Sequence, residues 1–302
     1  MTNNTKFDVI IIGGSYAGMS AAMALGRSLR NVLIIDAGEP CNAPTPHSHN
    51  FLTHDGKRPA EINALARKQL EAYDTVRIIA DKAITAMESQ GGFKIKTQSG
   101  SEFSSRKLLL ATGIKDLLPE IEGYKECWGI SALHCPYCHG YEVRGKQTGI
   151  LGNGDSGVEF ASLIRNWTND LTILTNGPST FTAEQKQKLE QHGIRVKEKV
   201  ISRIVHDKGY MKEVLFNDDS RIPLSALYAR NPFIQSTDIA AKLGCAITED
   251  GFIQVDMFQK TSRPDVFAAG DNTTRFRTVA GAVAMGTAAG AMINKEMCDE
   301  DF

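Results

Sequence analysis

The chain has 302 residues, with 34 Lys+Arg against 35 Asp+Glu and a formal net charge of −1. That length holds about two domains with sizeable cores, and so even a balance of charge leaves no basic footprint for nucleic acid. Six cysteines are too few for a disulfide scaffold, which excludes a small secreted domain and leads to the expectation of a reducing, cytoplasmic setting.

Met1 to Phe7 shows no basic n-region or cleavage site, and Asp8-Val9-Ile10-Ile11-Ile12 reads as a short buried strand. Gly13, Gly14, Ser15 and Gly18 interrupt the apolar run that follows. A strand, a turn and a helix (Met19–Gly26) therefore explain it better than a membrane span, and the expectation is a soluble protein without a membrane partner. Gly13-Gly14-Ser15-Tyr16-Ala17-Gly18 stands where a dinucleotide fingerprint wants Gly-x-Gly-x-x-Gly, with Ser15 in place of the second glycine. Its hydroxyl is suited to contact phosphate. The next strand, Asn31–Ile35, ends in Asp36, roughly 20 residues past the turn, where an acid holds a ribose hydroxyl. A βαβ unit without a ligand is the competing reading.

Residues 38–59 form a polar connection rich in proline and histidine. His47, His49 and His54 lack helical ligand spacing and read as solvated, so no metal site is expected. A helix is predicted over 60–73 and strands near 75–79, 82–88 and 93–97. A further strand, Leu108–Leu110, ends in Ala111-Thr112-Gly113, a turn of the kind found where flavin domains pass the cofactor.

Cys135-Pro136-Tyr137-Cys138-His139-Gly140 carries the chemistry. Cys-x-x-Cys-His fits a redox disulfide, a c-type haem attachment or half of a zinc site. Haem attachment goes with export, and Cys41, Cys127, Cys245 and Cys298 supply no second metal-binding pair; the redox disulfide is favoured. One of its thiols becomes a thiolate near neutral pH when a cation or helix end is close, and His139 is placed to move the proton, with His134 as the alternative.

The nucleotide pattern then repeats. A strand over 147–151 leads into Gly152-Asn153-Gly154-Asp155-Ser156-Gly157, a full Gly-x-Gly-x-x-Gly, followed by a helix over 158–167 and a strand over 171–174. That strand ends in Thr175-Asn176-Gly177-Pro178, with neither the acid that favours NADH nor the arginine that favours NADPH. Weak binding through Gly152, Gly154 and Gly157, or loss of the nucleotide, are the two expectations; Arg195 and Arg203 are the arginines available from elsewhere in the fold to hold the phosphate. A helix over 183–192, strands over 193–205 and 212–216, and a crossing back near 229–232 come next, followed by a strand over 252–255. The segment Thr261–Asp271 delivers Gly270 for close approach and Asp271 to accept from a hydroxyl. A last helix, over 279–296, is full of alanine and glycine.

Taken in order, Gly-Gly-Ser-Tyr-Ala-Gly, Ala-Thr-Gly, Cys-Pro-Tyr-Cys-His-Gly, the second glycine motif and Val-Phe-Ala-Ala-Gly-Asp resemble the low-molecular-weight thioredoxin reductase family over nearly the whole chain. The resemblance implies an α/β fold of two Rossmann-like, three-layer domains. It also implies an FAD domain (1–115 and 230–302) split by an inserted NAD(P)-type domain (116–229) that carries the cysteine pair, and a homodimer. By the same likeness FAD is held by the 13–18, 111–113 and 270–271 turns and Asp36, Cys138 faces the flavin, and Cys135 exchanges with a substrate. His139 departs from the aspartate usual after the second cysteine, and the form Cys-x-x-Cys-His-Gly-Tyr-Glu is similar to a branch containing gliotoxin-type dithiol oxidases. The expected activity is FAD-dependent thiol–disulfide exchange with a thioredoxin-like protein or a small dithiol or disulfide. An oxygen-dependent dithiol oxidase and a non-catalytic flavin redox sensor are the alternatives.

Overall fold

A strand that is apolar on both faces is stable only inside a sheet covered on both sides. In the computed structural model, which describes residues 5–302, the strand Lys6–Ile12 has that position, with Val9, Ile10 and Ile11 fully buried. It pairs in parallel with Val32–Asp36 on one side and Glu102–Leu110 on the other. Val76–Ala80 and Val266–Ala268 extend the parallel part, the latter against the C-terminal end of Glu102–Leu110. The N-terminal end of the same long strand carries an antiparallel hairpin, Ala83–Ser89 and Gly92–Thr97, giving seven strands in all. Alternation sorts the side chains: Val9 and Ile11 join Leu25 and Met297 on one face, whereas Ile10 and Ile12 join Phe93 and Ile239 on the other.

Helix Tyr16–Arg27 packs along the last helix, Val279–Asp301. Small residues allow near-contact of the two backbones: a Cβ on Gly286 would stand 2.1 Å from the Ala17 carbonyl oxygen, and one on Gly290 would stand 2.6 Å from that of Ala21. Ser20 adds a hydrogen bond of 2.8 Å to the Val283 carbonyl. Lys107, buried in the sheet, is neutralised by Asp265, Glu300 and, at 3.6 Å, Glu296, which ties the last helix to the strand beneath it. These elements form one compact unit, made of Met1–Ala43, Phe51–Lys115 and Phe233–Phe302.

The second unit comprises Pro44–Asn50 and Asp116–Pro232. Its sheet has five parallel strands in the order Arg195–Lys197, Leu171–Leu174, Thr148–Leu151, Ala226–Ala229, Ala132–Leu133. Helices Gly154–Ile164 and Ala183–Gln191 accompany it. The second of these opens with a capping box, Thr182 accepting from the Gln185 amide at 3.2 Å and Gln185 from the Thr182 amide at 2.9 Å. A separate antiparallel sheet contains Ile201–Asp207, Tyr210–Phe216 and Arg221–Pro223.

Several boundaries differ from the sequence reading. The strand expected over 193–205 is two strands in two sheets, broken where Asn176 takes the Ile201 amide at 2.7 Å. Residues 252–255 make only isolated bridges, because the amides of Ile253 and Gln254 go to the carbonyls of Asn272 and Ala246. The helix expected from Val158 begins at Gly154, and the last helix continues to Asp301. The architecture is α/β with parallel-strand sheets, as expected. Among the described residues, no helix is long and apolar enough to cross a membrane.

Candidate functional site

The Cys-x-x-Cys stretch leaves strand Ala132–Leu133 and winds into a single helical turn, Pro136–His139. Proline suits the first helical position because the amide it lacks would have no partner there. Cys135 is still extended, and its Sγ accepts a hydrogen bond from the Cys138 amide at 3.1 Å. The two sulfurs are bonded to each other, 2.07 Å apart, which is the pairing that the redox-disulfide reading requires. When that bond opens, the Cys138 amide favours a thiolate at Cys135. Cys135 is buried in this state, and Cys138 is partly exposed. Tyr137 is exposed and stands edge-on to Trp167 at 5.6 Å. A side chain at Gly140 would collide with that indole, its Cβ falling 2.7 Å from Nε1.

His139 follows Cys138 at the end of the turn. Burial, and then the charge of His49, lower its pKa from 6.5 to about 4, so the imidazole is neutral at pH 7 and able to accept a proton. His49 comes from the Pro44–Asn50 segment, and its Nε2 lies 3.6 Å from a Glu142 carboxylate oxygen. Here the expectation of solvated loop histidines needs correction: His47 is exposed, but His49 is half-buried, and His54 packs its ring against Phe51 at 5.5 Å. No spacing connects position 49 with position 139, so only the fold could pair them. His134, the alternative proton carrier, lies against the Trp128 indole at 5.8 Å in a packing contact.

In the other unit, every loop expected to hold the flavin nucleotide gathers at the C-terminal edge of the parallel strands, the edge where ligands bind in open α/β sheets. Gly13 has φ +109°, and a Cβ there would fall 2.1 Å from the Ala111 carbonyl oxygen, so only glycine lets the first turn lie on the Ala111-Thr112-Gly113 turn. Gly18 packs beneath Gly13, and Gly270 lies beside Ala17, a Cβ on it coming within 3.1 Å of the Ala17 Cβ. Asp271 is 3.5 Å from Arg277 Nε and from Cys41 Sγ. Asn272, fully buried and not singled out from the sequence, joins the edge together by donating to the Leu110 carbonyl at 2.8 Å and to Thr112 Oγ1 at 3.3 Å. Asp36 accepts from the Gly14 and Gly38 amides, each at 3.2 Å, and is paired with Arg67. The acid thus fixes the glycine turn as well as standing where a ribose would be held. Helix Tyr16–Arg27 has no acid in its first turn, and Ser15 at its N-cap makes no capping bond of its own. A helix start with no negative charge, and a Ser15 hydroxyl that makes no capping bond, make a donor set that fits the pyrophosphate of FAD.

The second glycine turn is built from the same pattern and has a different character. Asn153 caps its own helix: its side-chain oxygen accepts from Gly154 at 2.9 Å and from Thr180 at 2.8 Å, and its Nδ2 donates to the Pro178 carbonyl at 3.0 Å. Asp155 stands in the first turn and accepts from Gln185 at 2.5 Å. At the end of the adjoining strand, Thr175 donates to the Gly177 carbonyl at 2.5 Å and Asn176 accepts from Ile201 at 2.7 Å. Both residues at the ribose position are thus committed to backbone, and the acid Asp155 opposes a phosphate. Arg195, a cation considered for the phosphate of NADPH, pairs with Asp170 and Thr172 at the opposite end of the strand from the turn, which removes it from that role. Arg203 lies on the antiparallel sheet.

Comparison with known proteins agrees with this geometry. The profile of the family described as Pyridine nucleotide-disulphide oxidoreductase matches residues 7–286. Thioredoxin reductase tcpT of Claviceps purpurea (strain 20.1) is 32% identical over 98% of this chain and 96% of its own length. Thioredoxin reductase sirT of Leptosphaeria maculans is 31% identical over the same shares. The crystal structure of an oxidoreductase from Agrobacterium tumefaciens superposes with a TM-score of 0.91 at 38% identity, covering 97% of this chain and 99% of that one. The chain belongs to the pyridine nucleotide-disulphide oxidoreductases and, within them, is thioredoxin reductase-like.

Proposed function

We propose that the protein transfers electrons from FAD through Cys135 and Cys138 to the disulfide of a thioredoxin-like protein or of a small molecule. The family it belongs to is one of flavoenzymes that use FAD and NAD(P)H. One observation carries the assignment of residues: a closed Cys135–Cys138 disulfide followed directly by an imidazole that is neutral at pH 7. FAD, when bound, supplies a two-electron store that links the nucleotide to the thiols. The Gly13–Gly18 turn with Ser15 holds its pyrophosphate, Asp36 its ribose, and the Ala111–Gly113 and Gly270–Asp271 turns line the same edge.

At the cysteines, His139 takes the proton from the Cys135 thiol, and the Cys138 amide steadies the resulting thiolate. Cys135 then attacks a substrate sulfur, the substrate disulfide breaks, and its departing sulfur takes a proton. Cys138 closes the internal disulfide and releases the second substrate thiol. Family likeness supports a homodimer; the buried thiols of Cys127 and Cys245, which form no disulfide, are in keeping with a cytoplasmic setting.

The test is steady-state reduction of oxidised thioredoxin and of a small disulfide by the FAD-loaded protein. Sustained turnover that Cys135→Ser and Cys138→Ser each abolish is the expected result. Undiminished turnover in either variant would remove the cysteines from the reaction, and no turnover at all would favour a sensor.

A further inference from the structure

The Ala111-Thr112-Gly113 turn and the residue after Asp271 are joined by hydrogen bonds whose polarity is fixed. Asn272 is fully buried, and its Nδ2 donates to the Leu110 carbonyl at 2.8 Å and to Thr112 Oγ1 at 3.3 Å. A carbonyl oxygen only accepts, so the Leu110 bond settles which end of the Asn272 amide is the nitrogen. Both amide hydrogens are then committed, and the Thr112 oxygen receives one of them. The Thr112 hydroxyl hydrogen cannot point back at Asn272, since an amide nitrogen accepts nothing. Among the described residues, this hydroxyl makes no other hydrogen bond. Asn272 is also held from behind, its own carbonyl accepting from the Ile253 amide at 2.9 Å and from Gln235 Nε2 at 3.0 Å. Thr112 is half-buried and lies on the first glycine turn: a Cβ on Gly13 would stand 3.3 Å from its amide nitrogen.

We propose that Asn272 is a positioning residue for the flavin nucleotide: by donating to Thr112 Oγ1, it leaves the Thr112 hydroxyl hydrogen to be given to an acceptor oxygen of FAD. The proposal rests on the assignment of FAD to this edge. A threonine in a turn ordinarily satisfies its hydroxyl on a neighbouring backbone carbonyl. Here the Leu110 carbonyl is taken by Asn272, and the same amide holds the threonine oxygen as an acceptor. The hydroxyl is thereby presented as a donor. That polarity matches a pyrophosphate, which at neutral pH has oxygens to accept with and no hydrogen to give. Asn272 is sealed within the protein, so it acts through Thr112 and not by touching the ligand. Its Oδ1 is buried without a hydrogen-bond partner, so the two donor bonds alone orient the amide. Leucine or aspartate would fill the same space, but neither could donate to both oxygens.

The experiment dilutes the FAD-loaded, full-length chain and measures free flavin by fluorescence, which gives the dissociation constant; circular dichroism checks that each variant is folded. Thr112→Val, close to isosteric, should weaken FAD binding about tenfold, the size of one hydrogen bond, whereas Thr112→Ser, which keeps the hydroxyl, should stay near wild type. Asn272→Leu should weaken it by a similar factor. The two losses should not add: the Thr112→Val/Asn272→Leu double variant should also be down about tenfold, where independent effects would give about a hundredfold. Where Asn272→Leu does not fold, Asn272→Asp replaces it in the cycle, because its carboxylate accepts the Thr112 hydrogen and withdraws it from the ligand. Unchanged affinity in folded Thr112→Val, or full additivity in the double variant, would overturn the proposal, the second by making Asn272 merely structural. If the wild-type chain cannot be loaded with FAD, the assignment of the edge falls and the proposal with it. Normal loading with an unaffected Thr112→Val defeats the proposal alone.

Discussion

His139 is held neutral by burial first and by His49 second, and the sign of that shift fixes two outcomes. Between its folded pKa of about 4 and the ordinary value of 6.5, the unfolded chain binds a proton that the folded chain does not. Folding stability from this group is therefore complete above pH 6.5 and is lost as the pH falls toward 4. Urea denaturation at pH 7 and pH 5 should show wild type losing more stability on acidification than His139→Gln; equal losses would place the shift elsewhere. For activity, a pKa of about 4 leaves His139 unprotonated but weakly basic across the neutral range, so it holds a sulfhydryl proton only transiently, and His139→Gln should lower disulfide turnover by about 10²-fold. Asp36 belongs to the same scale. Its carboxylate holds the glycine turn by two amides and pairs with Arg67. Asp36→Ala should release FAD on gel filtration from protein that remains folded, whereas tight retention would mean that the turn stands without it.

At the scale of elements, the two glycine motifs share a sequence pattern and differ in what their helix starts are doing. The first leaves Ser15 uncommitted; the second spends Asn153 on its own backbone and places Asp155 in the first turn. The pattern itself was legible in the sequence, as was the missing arginine after Leu174, but not the closure of the turn, since it depends on Thr180 and Gln185 from a different loop and helix. A charge-assisted hydrogen bond contributes roughly 1.5–3 kcal/mol, and neither Thr175 nor Asn176 offers one to the extra phosphate of NADPH. Calorimetry should find NADPH and NADH bound weakly and about equally; a tenfold preference for NADPH would reveal a cation that Thr175 and Asn176 do not provide. Packing of the first helix on the last is open to a separate check. Overfilling a tight contact costs about 1–3 kcal/mol, and Gly286→Ala would press a methyl group against the Ala17 carbonyl. Its melting temperature should fall by several degrees, and an unchanged value would mean the helices can part without loss.

Over the whole molecule, buried β-branched runs and glycine turns marked the parallel strands well, because such strands are apolar on both faces and end in loops with few permitted residues. Short edge strands such as Phe233–Gln235 and Arg221–Pro223 escaped notice, being too brief for a period to show. The disulfide was readable from its spacing, and the imidazole beside it from adjacency. His49 was not, since it reaches His139 only through the placement of Pro44–Asn50 with the second unit. What joins these parts is the claim that flavin and the Cys135–Cys138 pair are two redox centres of one chain. Anaerobic titration of the FAD-loaded protein with dithionite measures this directly. Wild type should consume about two equivalents per chain, one for each two-electron couple, and the Cys135→Ser/Cys138→Ser double variant about one. Consumption of a single equivalent by wild type, with its disulfide still closed to alkylation at the end point, would contradict the account.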